Sequence, residues 1–170
     1  LSLLGSMIGP YFADGEVPLP MGTAYKALLP YQTFRTKTRD LALAVGSEKL
    51  WKVFCPVIGC PELTDDPRYR TNAARVQNAA ELDTIIGAFV AARTQAENVA
   101  FFEHAEVTIG PIYDITQIVD DPHMVERELV ADYPDPDMGA LPMHHVVPRL
   151  SGTPGSIRTL APHLGEHNRA

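Results

Sequence analysis

Hydrophobic and polar positions are patterned most clearly in the middle of the chain. Leu41, Leu43 and Val45 recur at period two with alanines between them, as in a strand with one buried face. A second short run, Tyr31–Arg35, precedes it, and the polar, basic segment between them predicts a hairpin. Ser47 then stands where a helix N-cap belongs, with Glu48 in the first turn. Leu50, Val53, Phe54 and Val57 follow at helical spacing, and Pro56 should kink or end that helix. Leu82, Ile85, Ile86, Phe89 and Val90 form a stripe on one face of a further helix, and Val99 and Phe102 continue it on the next. Asn78-x-x-Glu81 and Thr94-x-x-Glu97 have the form of capping boxes opening these two helices.

The flanks are patterned differently. Residues 1–12 are apolar and read as the tail of a helix, closed by Asp14-Gly15, with a linker over Pro18–Gly22. Beyond the middle, VTIGP (Val107–Pro111) is a short strand. Ile112–Val119 and His123–Leu129 are short helices punctuated by Asp121-Pro122. From Ala131 onward, Pro134, Pro136, Pro142, Pro148, Pro154 and Pro162 rule out a compact helical unit. That segment is expected as extended edge strands and linker. The predicted architecture is a small α+β unit over residues 28–118, with residues 1–27 and 119–170 as arms that need something else to pack on. A chain opening in mid-pattern on Leu1 reads as a fragment, and its first residues lack the basic start of a signal peptide.

Composition narrows the function only by exclusion. Of the 170 residues, 45% are hydrophobic and 21% charged, ordinary for a soluble globular protein. The net charge of −7 argues against nucleic acid as a main partner. No run approaches the ~18 apolar residues that suggest a membrane helix. Cys55 and Cys60 are too few for a disulfide framework and fit no zinc spacing, so ordinary thiols in a reducing, cytoplasmic compartment are expected.

Candidate chemistry is sparse. His144-His145 would point to opposite faces of a strand, and no His pair has the spacing of a helical zinc site, so no metal is expected. Asp65-Asp66, Asp120-Asp121 and Asp135/Asp137 are paired carboxylates next to prolines, where turn and capping roles outweigh acid–base work. No nucleophile elbow, P-loop or dinucleotide fingerprint occurs, and Ser151–Gly155 reads as a plain turn. Glu48 is held back as the one ionisable candidate, because it follows Gly46 at a strand-to-helix junction.

Seven pieces carry a resemblance. They are GEVPLPMG (Gly15–Gly22), PYQTF (Pro30–Phe34), LALAVGSEKLW (Leu41–Trp51), PELTDDPRYRTNAARV (Pro61–Val76), IGPIYDITQIVDDPHMVER (Ile109–Arg127), RLSGTP (Arg149–Pro154) and LGEH (Leu164–His167). In that order the chain resembles the class III CoA-transferases, the family of formyl-CoA transferase, the carnitine and bile-acid CoA-transferases and α-methylacyl-CoA racemase. The resemblance implies the small α+β domain of a longer protein. Residues 1–27 would be a helix end and linker from a Rossmann-like large domain, and residues 119–170 the segment returning to it. It implies an interlocked homodimer of the full-length protein, or association with the preceding portion.

It also implies CoA exchange between carboxylic acids through an aspartyl thioester whose Asp lies outside this chain. Acyl-CoA is then a substrate and not a resident cofactor, and no residue here is the nucleophile. Tyr25, Lys26, Ala27, Gln32 and Gly46 are the residues implied to face substrate. The glycine-rich loop of formyl-CoA transferase is replaced here by TAYKALL (Thr23–Leu29), which speaks against formyl or oxalate specificity. Two other readings stand beside this one. A racemase or epimerase of the same fold would use Glu48 in proton transfer, and a non-catalytic module would dimerise or bind without chemistry.

Overall fold

The computed structural model describes residues 4–25, 27–166 and 168. The chain divides into two units, Leu1–Ile112 and Tyr113–Ala170.

The first unit begins with helix α1 (Gly5–Asp14), closed by Gly15 at φ 71°, whose N–H donates to the Tyr11 carbonyl. Only glycine adopts that left-handed closure cheaply, so the Asp14-Gly15 stop lies where the sequence suggests it. Strands β1 (Tyr31–Arg35) and β2 (Asp40–Ala44) form the expected antiparallel hairpin, with Phe34 opposite Leu41 and Gln32 opposite Leu43. Leu41, Leu43 and Val45 are fully buried, as their period-two spacing requires. Helix α2 (Glu48–Val57) follows, with Ser47 Oγ accepting from the Leu50 N–H. It ends one residue past Pro56. After a 3-10 turn at Pro61–Thr64 come α3 (Asn72–Gln77), α4 (Ala79–Ala91) and α5 (Gln95–His104). Strand β3 (Ile109–Pro111) then returns to pair antiparallel with β2, giving the sheet order β1-β2-β3.

One core joins these elements. Leu82, Ile86 and Val90 of α4, Phe102 of α5, and Trp51 and Phe54 of α2 are buried against the sheet. The Phe54 and Phe102 rings stack at 6.0 Å between centroids. Burying six such side chains provides on the order of 10 kcal/mol of transfer free energy before conformational entropy is subtracted. Thr94 and Glu97 form the reciprocal capping box that the sequence predicts for α5. The box expected at Asn78 does not form. Asn78 Nδ2 donates instead to the Ala74 and Arg68 carbonyls, while Glu81 receives the Arg68 guanidinium at 2.8 Å. The end of α3 and the Arg68 side chain thus compete successfully for both members of the motif.

The second unit opens with α6 (Ile115–Asp120), capped by a reciprocal Asp114–Gln117 box. In α7 (Pro122–Glu126) the cap is Asp121, which accepts from the His123 and Met124 N–H groups. The proline-rich segment is not only linker. It folds into a two-stranded hairpin, β4 (Val130–Asp135) with β5 (Gly139–His144), closed by Asp135 Oδ1 accepting from the Asp137 and Met138 N–H groups. Pro134 and Pro142 are tolerated because both strands of a two-stranded ribbon are edges.

Candidate functional site

Residues 22–25 and 27–29 lead toward β1 without strand pairing of their own, so their backbone polar groups need other partners. At the start of this loop, Thr23 Oγ1 accepts from the Thr33 N–H at 3.2 Å and lies 2.7 Å from Thr33 Oγ1. The Tyr25 N–H donates to the Tyr31 carbonyl, and the two rings meet edge to face at 5.9 Å. At its end the loop is held by α3. Asn72 Nδ2 donates to the Ala27 carbonyl at 2.8 Å, and Asn72 Oδ1 accepts from the Leu29 N–H at 3.0 Å. Arg75 Nε donates to the Leu29 carbonyl at 2.7 Å.

Arg75 is the most unusual side chain of the unit, a fully buried guanidinium. Burial of a lone cation is prohibitive, and here each of its three nitrogens has a partner. Its Nη1 donates to Glu48 Oε2 (3.0 Å) and to the Tyr69 carbonyl (2.9 Å), and its Nη2 to Glu48 Oε1 (3.3 Å). The guanidinium also lies over the Trp51 ring at 4.8 Å, a cation–π contact in a dry setting. Glu48 Oε1 additionally accepts from the Asn72 N–H at 2.9 Å. The Arg75 hydrogen bond, helped by that backbone N–H, holds the Glu48 carboxyl below its ordinary range.

The loop forms one wall of an apolar groove of about 640 Å³. Its lining is mainly apolar, with Met7, Val17, Leu19, Met21, Tyr25 and Val76, but Ser6 and Glu16 also border it. A recess of this size and mostly apolar lining can take an apolar chain, with the Glu16 carboxylate at its border.

The residues expected to face substrate divide accordingly. Tyr25 and Ala27 share the groove wall. Gly46 is exposed beside the same loop, and a Cβ there would sit 3.7 Å from Leu28 Cδ2. Gln32 is turned toward α4, where its Nε2 donates to Asp83 Oδ1 at 2.6 Å. Lys26 lies outside the described residues. Glu48 joins the group through Asn72 and Arg75. Neither of those two was singled out from the sequence, although both sit in the TNAAR of the Pro61–Val76 block. An arginine followed by Val76 in a short run of small residues was the available signal. Among the described residues no group of three or more His, Cys, Asp or Glu side chains is placed to hold a metal ion, and no helix is long and apolar enough to cross a membrane.

A family model for CoA-transferase family III matches residues 1–168. The chain belongs to CoA-transferase family III. It is 32% identical over 170 residues to a succinyl-CoA–D-citramalate CoA-transferase of Chloroflexus aurantiacus, covering 99% of this chain and 42% of that protein. It is 33% identical over 148 residues to the succinyl-CoA:glutarate CoA-transferase of Mus musculus, covering 87% of this chain and 34% of the relative. Among solved structures it resembles a CaiB/BaiF family protein of Brucella suis, with a TM-score of 0.78 at 26% identity over 98% of this chain and 43% of the other. The Rv3272 protein of Mycobacterium tuberculosis shares the fold, with a TM-score of 0.76 at 21% identity over 99% of this chain and 43% of the other. The family III chain described here thus spans less than half the length of these relatives. Its mixed helices and short antiparallel strands correspond to the small α+β part of such proteins.

Proposed function

We propose that this chain is the small-domain portion of an acyl-CoA:carboxylate CoA-transferase, with the nucleophilic Asp outside it. Residues 1–27 and 119–170 then lead from and back to the large domain, and residues 28–118 form the small domain. The observation that supports the reading is the match of the CoA-transferase family III model to residues 1–168. Two of the relatives named above, those of Chloroflexus aurantiacus and Mus musculus, are named as succinyl-CoA CoA-transferases.

In the proposed cycle the Asp carboxylate attacks the thioester carbonyl and expels CoA thiolate, leaving a mixed anhydride. The thiolate then attacks the aspartyl carbonyl, releasing the donor as a free carboxylate and leaving an aspartyl-CoA thioester. The acceptor acid collects CoA by the same two steps in reverse order. Acyl-CoA is therefore a substrate, and the cycle needs no resident cofactor. The role of this chain is to present Tyr25 and Ala27 at the substrate. The whole enzyme works in the cytoplasm as a homodimer, or with its large domain supplied by the preceding portion. The exposed ring of Phe12 on α1, 81% exposed and outside the groove lining, supports such an association.

Proton transfer by Glu48 is disfavoured by its surroundings. Both its oxygens already accept from Arg75 and Asn72, which makes the carboxylate a weak base and a poor proton donor at neutral pH. The test is an exchange assay between acyl-CoA and free carboxylates, on this chain alone and on the chain together with the preceding portion of its protein. Exchange only in the combination agrees with the proposal. Exchange by the chain alone overturns it, by requiring a nucleophile among these residues.

A further inference from the structure

We propose that Asn72 and Arg75 are positioning residues, and that with Glu48 they fasten the loop end at residues 27–29, where Ala27 lines the groove. The role rests on the reading above that this loop faces acyl-CoA.

Three backbone groups at the end of the loop, the Ala27 carbonyl and the Leu29 N–H and carbonyl, all go to side chains of α3. The Asn72 amide brackets Leu28 by donating on one side and accepting on the other, much as a neighbouring strand would. Arg75 takes the next carbonyl. Glu48 then binds both holders at once, the backbone of Asn72 and the guanidinium of Arg75. The start of α2, the start of α3 and the loop are thereby one assembly. Ala27, a direct recipient of the Asn72 bond, lines the groove beside Tyr25. A loosened fastener would therefore move the groove wall itself, and displacement of a binding surface by about an ångström is enough to cost much of its activity.

Asn72 separates this role from general stability. It is the first residue of α3, whose cap is the Thr71 hydroxyl accepting from the Ala74 N–H. An alanine at position 72 leaves that cap in place, and Asn72 is not part of the buried apolar core. Asn78, at the other end of the same helix, is a matched control. Its side chain also makes two hydrogen bonds, but to Ala74 and Arg68 and not to the loop.

The experiment uses the full-length protein that carries this chain, as wild type, Asn72→Ala and Asn78→Ala. Two quantities are read, deuterium uptake at the Leu29 amide under native conditions, the donor to Asn72 Oδ1, and the KM and kcat for acyl-CoA:carboxylate exchange. Losing two hydrogen bonds at the loop is expected to raise both the Leu29 uptake rate and the KM for acyl-CoA on the order of ten-fold in Asn72→Ala. Its kcat should change far less, and Asn78→Ala should match wild type in both readouts. If Asn72→Ala behaves like Asn78→Ala, the fastener is refuted. Faster Leu29 uptake with unchanged kinetics would show a fastened segment that does not face substrate, and would also overturn the positioning role. A folded wild type without CoA-exchange activity would sink the transferase reading, while Leu29 uptake would still decide whether Asn72 holds the segment.

Discussion

Replacing Arg75 by methionine removes a buried cation while nearly filling its space, and the structure gives the cost piece by piece. The Leu29 and Tyr69 carbonyls each lose a donor. A buried carbonyl left without its partner costs about 1–3 kcal/mol, and both of these bonds are buried. Loss of the guanidinium over Trp51 removes about another 2 kcal/mol at this dry site. The partner carboxylate adds little, because the Glu48 side chain is 51% exposed and regains water when Arg75 leaves. The pieces sum to about 4–8 kcal/mol, and the apolar burial of the methionine offsets part of it, leaving a loss of at least about 3 kcal/mol.

Glu48→Gln reverses the geometry. It leaves the buried guanidinium with a neutral acceptor and should cost about 1–2 kcal/mol. Urea unfolding followed by the fluorescence of Trp51, the single tryptophan of the chain, reads both changes, since that ring touches Arg75. An Arg75→Met loss below about 1 kcal/mol, or one smaller than that of Glu48→Gln, would refute the view that Arg75 organises this region.

Further outcomes follow from the same geometry. The lowered pKa of Glu48 means that the pair's contribution is fully present above the ordinary value of 4.5 and is lost as pH falls through the folded value. The stability gap between wild type and Glu48→Gln should therefore close in acid, and a constant gap in urea titrations at pH 7 and below 4 would contradict the assignment. Phe102→Ala empties the stack against Phe54 at the centre of the core and should cost about 3–5 kcal/mol by the same unfolding assay. Burial pushes the Cys55 thiol up to about 11, so iodoacetamide at pH 8 should label the half-buried Cys60 in preference. Equal labelling of the two in the folded chain, resolved by peptide mass, would speak against that packing.

Local patterns decided the middle of this protein. The alternation of Leu41, Leu43 and Val45, the caps at Ser47 and Thr94, and the stripe from Leu82 to Val90 each involve neighbours within a few positions, and all recur in the fold. The seven family pieces were likewise legible, because a family signature is a linear order of residues. The hairpin of the proline-rich segment was only half visible. Its extended character follows from proline, but its pairing register depends on how Asp135 turns the chain.

What the sequence could not supply is the set of bonds that cross long separations. The expected box at Asn78 failed because Ala74 and Arg68 offered its side chain nearer partners. Glu48, Asn72 and Arg75 lie in different segments from the loop 22–29, and no periodicity connects a glutamate at one helix start with an arginine in another helix. A buried guanidinium is tolerated only if its nitrogens find acceptors. Which carbonyls and which carboxylate meet it is settled only when α2, α3 and the loop are packed together.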